Sequence, residues 1–129
     1  MSSIFVVATA ISYAAADTKY CYPDGIFGAT NLGRVSAEKF CNASSNAPDG
    51  NAYILAGQTI YGCAEIDGSK WDMSITSSCD KMTAISQANC VARMKDIESC
   101  GSAASHRGGT WQNGCLKYYL DPNAGKCTL

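Results

Sequence analysis

Residues Ser77 to Gly101 read SSCDKMTAISQANCVARMKDIESCG, and their pattern predicts a single long helix. Ser77 and Asp80 have the spacing of a helix-capping box, and Gly101 stands where a left-handed glycine commonly ends a helix. At about 100° per residue, three cysteines and three apolar side chains fall within one arc of about 120°. They are Cys79, Met82, Cys90, Met94, Ile97 and Cys100. We expect disulfides to join this face to the rest of the protein.

The length and charge of the chain set the first limits on its function. With 129 residues it is expected to form one domain, residues 1–129, with a hydrophobic core of its own. Its formal net charge is −1 at pH 7, and no basic stripe runs along it. This composition argues against a nucleic-acid partner and against attachment to a membrane through basic side chains. We expect no membrane insertion either.

The eight cysteines indicate a disulfide framework rather than a metal site. Consecutive cysteines are at least 10 residues apart, whereas zinc ligands usually come in pairs about two to four residues apart. We therefore expect four disulfides, no metal and no cofactor. Because disulfides persist in oxidising compartments, we also expect a secreted, extracellular protein. The pairing cannot be deduced from the sequence. The cysteines are Cys21, Cys41, Cys63, Cys79, Cys90, Cys100, Cys115 and Cys127.

The segment Met1–Ala16, MSSIFVVATAISYAAA, has two interpretations. Its apolar stretch and the small residues at Ala14–Ala16 are typical of a signal peptide, although no positive charge precedes them. Its run Ile4–Val7 is typical of a native β-strand that is covered on both faces. We favour the strand. In either case the segment is too short to span a bilayer.

Three features lie between the first segment and the middle of the chain. Thr18–Tyr22 is expected to be a strand, and Asn31–Cys41 has the pattern of a modest helix whose end Cys41 tethers. The triplet Asn42-Ala43-Ser44 is a glycosylation sequon, which in a secreted chain predicts a position at the surface. Whether the sequon is used stays open.

A hairpin is the clearest local prediction. Asp67-Gly68 is a dipeptide typical of a type I′ turn, and it separates Gln58–Ile66 from Ser69–Thr76. The two-residue loop sets the register, so that Glu65 faces Lys70 in a charge pair worth about 0.5 kcal/mol. The second strand alternates cleanly. Its large side chains, Trp71, Met73 and Ile75, share the face on which Gly62 and Ala64 leave room.

The remaining segments complete the expected fold. Ser102–Gly109 is predicted to be a flexible loop, and Thr110–Leu120 the last strand, which Asp121-Pro122-Asn123 ends. Cys127 would close the chain with a disulfide. The order of elements indicates an α+β fold with about five mainly antiparallel strands, two helices and a split βαβ unit.

Catalysis has weak support in the sequence. The single histidine, His106, stands beside Arg107 in a loop rich in glycine and serine. A small ribonuclease would combine such a pair with a glutamate base, for which Glu38, Glu65 and Glu98 are available. An exposed His-Arg pair without catalytic function is the simpler interpretation. No serine has the setting of a nucleophile elbow. Turns, a strand face or a cap account for Asp67, Asp72, Asp80 and Asp121, so a catalytic carboxylate pair is not favoured.

A sugar-binding site is better supported. Sugar sites combine an aromatic platform with amide, carboxylate or guanidinium groups. The region His106–Asn113 offers this mixture, and a glycine pair within it permits close approach of the backbone to a ligand. We therefore name five candidate ligand-binding residues, with simple packing in the sheet as the alternative for the tryptophan. They are His106, Arg107, Trp111, Gln112 and Asn113.

The last third of the chain carries a resemblance to known secreted proteins. The helix end ESCGS, the glycine-rich loop and the run GTWQNGCLKYYLDPNAGKC are similar to the small killer toxins of virus-infected smut fungi, which have split βαβ topology. The length, the four expected bridges and the five-strand, two-helix pattern also resemble the mushroom glycan-binding protein family. That resemblance implies an αβα sandwich that dimerises by joining sheets and binds fucosylated LacdiNAc-type glycans. It carries no binding residue to this chain.

The leading hypothesis is therefore a secreted fungal lectin without catalytic activity. It would bind fucosylated or GalNAc-containing glycans of cell-surface glycoproteins and would act as a homodimer. The alternatives are a killer-toxin-like or antimicrobial effector and a small secreted ribonuclease. An effector would depend on surface cations such as Arg107 and Lys117, a lectin on Trp111 and a ribonuclease on His106.

Overall fold

A computed structural model describes residues 17–102 and 104–128 of the chain. Both interpretations of residues 1–16 fall outside this range. The helices are α1, Thr30–Ser44, and α2, Gln87–Ile97, which a 3₁₀ turn, Glu98–Cys100, extends. The strands are β1, Thr18–Cys21; β2, Gly28–Ala29; β3, Asn51–Ile54; β4, Thr59–Ile66; β5, Ser69–Ser77; β6, Thr83–Ser86; β7, Ser105–His106; β8, Gly109–Asn113; and β9, Leu116–Asn123.

One antiparallel sheet of five strands forms the centre of the molecule. Its order is β1-β8-β9-β5-β4, and two smaller ladders, β2 with β7 and β3 with β6, lie outside it. All neighbouring strands of the sheet are antiparallel. β5 and β8 therefore run parallel to each other with β9 between them, and α2 lies in the connection. This is the expected split βαβ unit.

The predicted hairpin is confirmed in its turn and its register. Asp67 and Gly68 have φ values of 50° and 80°, as a type I′ turn requires. Glu65 pairs with Lys70 across the strands as expected. The charge pair between them is not formed, because the Lys70 ammonium lies 3.4 Å from Asp72 Oδ2 and Glu65 accepts a hydrogen bond from the Cys127 N–H.

The predicted helix from Ser77 to Gly101 is wrong in its first half. β5 continues to Ser77, and Thr83–Ser86 forms strand β6, which pairs with β3. The helix begins only at Gln87, where the Ser86 hydroxyl accepts a hydrogen bond from the Asn89 N–H at 3.1 Å. A ladder with β3, whose paired residues are 29 to 35 positions away, outweighs the local helical pattern, and the continuous helix face that was predicted does not exist.

The glycine expected to end the helix also behaves differently from the prediction. Gly101 has φ −145°, so its backbone is extended rather than left-handed. Within the expected helix face only Cys90, Met94 and Ile97 lie on α2, and each is buried. Met82 lies outside the helix and is exposed. The cysteines at the two ends of the predicted face lie outside α2.

The predicted last strand is in fact a second hairpin. β8 and β9 are joined by the two-residue loop Gly114-Cys115, in which Gly114 has φ 62°. Glycine at the first loop position is typical of a type II′ turn, so the signal was present in the sequence. β9 also continues past the expected stop to Asn123, with Pro122 opposite Trp71. Proline has no N–H to donate, and it is tolerated there because β8 ends opposite Leu120, so that no residue of β8 beyond that point needs a donor from β9.

The core lies between the sheet and a single layer of two helices. The buried side chains of β5 and β9 face α1 and α2, and the two helices also contact each other. The α+β class with two helices and a five-stranded sheet is therefore confirmed. The αβα layering differs, because within the described residues both helices pack on the same face of the sheet.

Close contacts at two glycines set the distance between α1 and the sheet. A Cβ at Gly33 would lie 2.8 Å from Trp71 Cη2, and a Cβ at Gly62 would collide with the Phe40 ring. The aromatic rings of Trp71 and Phe40 thus occupy the space that these glycines leave open. Side chains on both elements interlock at the core.

Four disulfides use all eight cysteines, as expected. Cys41–Cys90 joins the two helices within the core, and Cys79–Cys115 fixes the segment before β6 to the turn of the second hairpin. The outer strands of the sheet are fixed as well, because one bridge ends on β1 and another on β4. These bridges are Cys21–Cys100 and Cys63–Cys127.

Removal of the helix–helix bridge should cost more stability than removal of the bridge on β4. Replacing Cys41 and Cys90 with alanine should lower the free energy of unfolding by about 2–5 kcal/mol, because two buried sulfurs are lost with the link. The matched variant replaces Cys63 and Cys127, which are only partly buried. Urea denaturation measures both. Loop entropy alone would make removal of the β4 bridge the costlier change by a few tenths of a kcal/mol, because that bridge closes a separation of 64 residues and the helix–helix bridge one of 49.

Gly33→Ala should destabilise the protein although alanine is the better helix former. The added methyl group would press on the Trp71 ring, which should cost about 1–3 kcal/mol and exceed the helical gain of about 1 kcal/mol. Asn31→Ala, at an exposed position of α1, is the control and should not lower the stability. An increase in the urea midpoint for Gly33→Ala would contradict the tight contact.

Candidate functional site

The structure places His106 inside the protein rather than in an exposed loop. Its side chain is 0% exposed, and its ring centroid lies 5.4 Å from that of Trp71. Nδ1 accepts a hydrogen bond from the Gly108 N–H at 3.0 Å. Burial lowers the pKa of His106, and the charge of Glu98 only partly opposes this. His106 therefore cannot contact a ligand from solvent in this conformation.

Arg107 lies at the surface next to the loop before β2. Its guanidinium carbon is 4.1 Å from the centroid of the Phe27 ring, and Nε donates to the Gly25 carbonyl at 3.3 Å. This contact is a cation–π pair, and it holds the guanidinium against its own chain. Arg107 retains exposed surface, but it stands at the opposite end of β8 from Gln112 and Asn113.

β8 sends its three predicted site residues in different directions. Trp111 faces the helices and packs against the core. Gln112 faces the other side of the sheet, where its Nε2 donates to the Gly114 carbonyl at 2.8 Å. Asn113 Nδ2 donates to Asp17 Oδ1 at 3.0 Å. The five predicted residues are thus not brought together in one site, and their role in ligand binding stays a prediction.

A different set of side chains does converge, on the face of the sheet away from the helices, here called the open face. One row of cross-strand partners crosses all five strands. Because directly paired residues point to the same face, these side chains stand side by side over about 19 Å. We name them the tyrosine row: Tyr20, Thr110, Tyr119, Ser74 and Tyr61.

The ends of the tyrosine row are strongly exposed. Tyr20 on β1 is 55% exposed and Tyr61 on β4 is 61% exposed. Tyr22 extends the aromatic surface beyond β1, with ring centroids 5.8 Å from Tyr20 and 6.2 Å from Tyr119 in edge-to-face geometry. Three rings at one side of the open face therefore form a continuous aromatic platform.

Two carboxylates lie beside the tyrosine row. Asp72 on β5 and Asp121 on β9 are direct cross-strand partners. Asn123 Nδ2 bridges them, with distances of 2.6 Å to Asp72 Oδ2 and 3.1 Å to Asp121 Oδ2. The hydroxyl of Tyr61 donates to Asp72, and that of Tyr119 donates to Asp121 Oδ2 at 2.9 Å. The carboxylate pair is thus built into the row.

The two carboxylates have opposite pKa shifts. The pKa of Asp121 is raised mainly by burial, which outweighs its hydrogen bonds from Tyr119 and Asn123, and the charge of Asp72 adds to the rise. Burial also acts to raise the pKa of Asp72. Hydrogen bonds from Tyr61 and Asn123 and the charge of Lys70 outweigh that effect, so the pKa of Asp72 is lowered. Asp72 carries the more stable negative charge.

The arrangement suits hydroxyl-rich ligands better than metal ions. Phenol rings offer apolar faces, and the carboxylates, the Asn123 amide and the Ser74 and Thr110 hydroxyls offer donors and acceptors beside them. Within residues 17–102 and 104–128, no three histidine, cysteine, aspartate or glutamate side chains are grouped as metal ligands. The same residues include no helix of the length and apolarity needed to cross a membrane.

Sequence reasoning missed this site because it treated the two aspartates separately. Asp72 is predicted on a strand face and lies there on β5, whereas Asp121 is predicted in a turn that ends the last strand and instead lies within β9, which continues to Asn123. Their proximity depends on the pairing of β5 with β9. The alternation in β9, with Tyr118 buried and Tyr119 on the open face, was the available signal. The partner strand was not identifiable from it.

Known proteins do not assign the chain to a family. No protein-family model matches it, and no curated protein does. The resemblance to mushroom glycan-binding proteins therefore stays an expectation, and a functional assignment depends on the geometry of the described residues.

The carboxylate pair should give two variants with opposite pH dependence of stability. The pKa of Asp121 is higher in the folded than in the unfolded state, so its protonated form stabilises the fold at pH values below the unfolded-state pKa. This stabilisation is lost as the pH rises through the folded-state pKa. Asp121→Asn should therefore gain stability relative to the wild type between about pH 3 and about pH 7. The lowered pKa of Asp72 has the reverse effect at lower pH, because its stabilisation is present above the unfolded-state pKa and is lost as the pH falls through the folded-state pKa. Asp72→Asn should therefore lose stability relative to the wild type as the pH rises to about 5. Urea titrations along the pH series measure both, and slopes of equal sign would contradict the assignment.

Proposed function

We propose that this protein is a secreted glycan-binding protein without catalytic activity, and that the tyrosine row with its carboxylate pair is the binding surface. The observation that carries the proposal is the alignment of three tyrosines, two of them strongly exposed, with hydroxyl groups and a carboxylate pair on the open face of the sheet. Sugars have the same dual character, since apolar C–H faces alternate with hydroxyl groups. Four disulfides are compatible with an extracellular location.

Each part of the surface has a distinct role in this proposal. Tyr20 and Tyr61 offer exposed ring faces at the two edges of the sheet, and each contact contributes about 0.5–1.5 kcal/mol. Asp72 is only 6% exposed, so its role is to orient the Tyr61 hydroxyl and the Asn123 amide. The half-buried Asp121 and Asn123 exchange hydrogen bonds with sugar hydroxyls. A shallow surface of this kind gives weak single-site affinity, and a homodimer would raise the avidity for multivalent cell-surface glycans.

The glycan class and the assembly are taken from the resemblance. The mushroom family binds fucosylated LacdiNAc-type glycans, and we extend that preference for fucosylated or GalNAc-containing glycans to this chain. The fungal source and the homodimer come from the same likeness. The alternatives differ in their residues: an effector depends on Arg107 and Lys117, and a ribonuclease needs His106, whose complete burial speaks against catalysis there.

Removal of the two edge tyrosines should weaken glycan binding. The protein carrying both Tyr20→Ala and Tyr61→Ala should bind a fucosylated LacdiNAc glycan about tenfold or more weakly, because two stacking contacts are lost. A glycan array followed by isothermal titration measures this. Tyr53→Ala is the matched control, since Tyr53 is 42% exposed but lies on β3, outside the tyrosine row, and it should leave the affinity unchanged.

Three results would contradict the proposal. One is the absence of binding to every glycan on the array at high protein concentration. Another is a loss of glycan affinity for Tyr53→Ala as large as that for the variant with both Tyr20→Ala and Tyr61→Ala. The third is growth inhibition that Arg107→Ala with Lys117→Ala abolishes while glycan binding is absent, which would favour the effector.

A further inference from the structure

The outer edge of β4 carries a row of backbone hydrogen-bonding groups with no strand beside it in the described part of the chain. The C-terminal segment is attached to this strand through side chains, by the Cys63–Cys127 disulfide and the Glu65 carboxylate. The Ser77 N–H donates to the Gln58 carbonyl at 2.9 Å, which fixes the phase of the ladder between β4 and β5. Backbone groups in an antiparallel strand face its partner at every second residue. Those facing away from β5 therefore belong to Thr59, Tyr61, Cys63 and Glu65. Among the described residues no further strand pairs with this edge.

A groove runs along the same edge on the helix side. It encloses about 620 Å³ between α1 and β4, a volume typical of ligand sites. Its floor is apolar, with Phe40, Ile60, Gly62 and Met73, and the absence of a side chain at Gly62 lets the Phe40 ring lie at the base. Ala43 lines the wall that α1 forms.

We propose that this edge and groove bind an extended polypeptide segment of a partner protein by strand addition. The edge presents alternating donors and acceptors with a repeat of about 7 Å, which only a polypeptide backbone in extended conformation can match in register. A peptide paired with β4 sends every second side chain to the helix side of the sheet, and hence into the groove.

The groove defines the chemistry of that peptide. Its β4 wall extends from Ile60 to Ala64, about 13 Å, and receives two or three alternate side chains. Apolar side chains fit the floor. The intervening side chains of the peptide point to the open face, where they lie beside the polar side chains of Thr59 and Glu65. The preferred segment therefore alternates apolar and polar residues. The groove opens on the helix side and the tyrosine row on the open face, and the two sites share Tyr61, whose side chain ends the row and whose backbone groups belong to the β4 edge.

A random nonapeptide library displayed on phage, panned on the disulfide-bonded protein, tests the site. We expect enrichment of peptides with apolar residues at alternate positions. The leading peptide, synthesised with a fluorescent label, should bind saturably in anisotropy titrations, and N-methylation of its alternate amides should weaken binding at least tenfold. On binding, amide exchange should slow at Thr59, Tyr61, Cys63 and Glu65 and not along β1.

Two variants separate the groove from the rest of the surface. Ala43→Trp fills the groove from an exposed helix position and should weaken peptide binding at least tenfold. Asn42→Trp places the same side chain on the neighbouring exposed position, which does not line the groove, and should leave binding unchanged. Thr59→Pro removes an outward N–H without breaking the ladder to β5, and it should also weaken binding.

The proposal is overturned by any of four results. They are no enrichment on the wild type, equal binding to Ala43→Trp, equal binding of the N-methylated peptide, or dimerisation without peptide that itself slows amide exchange at Thr59, Tyr61, Cys63 and Glu65. Each variant is compared with the wild type by circular dichroism and urea midpoint. Loss of peptide binding with glycan binding retained, or the reverse, would separate this site from the tyrosine row.

Discussion

The packing of the Trp71 indole is the contact on which the rest of the structure depends. Trp71 lies on β5, between β9 and β4, and it is fully buried. Two elements approach it through glycines, α1 at Gly33 and β2 at Gly28, where a Cβ would lie 2.8 Å and 2.5 Å from ring atoms. His106 of β7 closes another side. The ring thus connects sheet, helix and the small β2–β7 ladder, and its size sets how closely they pack.

Burial of the helix-facing side of the sheet determines the chemistry of the open face. Successive side chains of a strand point to opposite faces, so the alternation that buries Trp71 and Met73 sends Asp72 and Ser74 to the open face. Two tight turns fix the registers of β4 with β5 and of β8 with β9, and the long-range pairings of β5 with β9 and of β1 with β8 complete the tyrosine row. The candidate site is therefore a consequence of the core: the same strands that bury apolar residues on one side collect phenols and carboxylates on the other. The disulfides on β1 and β4 hold the two ends of this surface.

Local signals in the sequence predicted local structure well. The hairpin around Asp67-Gly68 was predicted with its register because turn type, alternation and side-chain volumes all lie within one short segment. The helix predicted from Ser77 was wrong in its first half because distant segments bind that part of the chain: Thr83–Ser86 pairs with β3, and Cys79 is bonded to Cys115. His106 was predicted at the surface because its neighbours are glycine and serine. Pairing of β7 with β2 buries it instead.

By itself, the sequence determined the disulfide-stapled α+β class, the four bridges and the two faces of β5, because cysteine spacing and alternation are written along the chain. Only the tertiary structure decided which cysteines pair, that both helices cover one face, and that Asp72 lies beside Asp121. The physical reason is the range of the interactions. A turn or an alternating strand depends on neighbours in sequence, whereas the bridges join residues 36 to 79 positions apart and β1 pairs with the distant β8. The choice of these partners depends on packing the whole core at once.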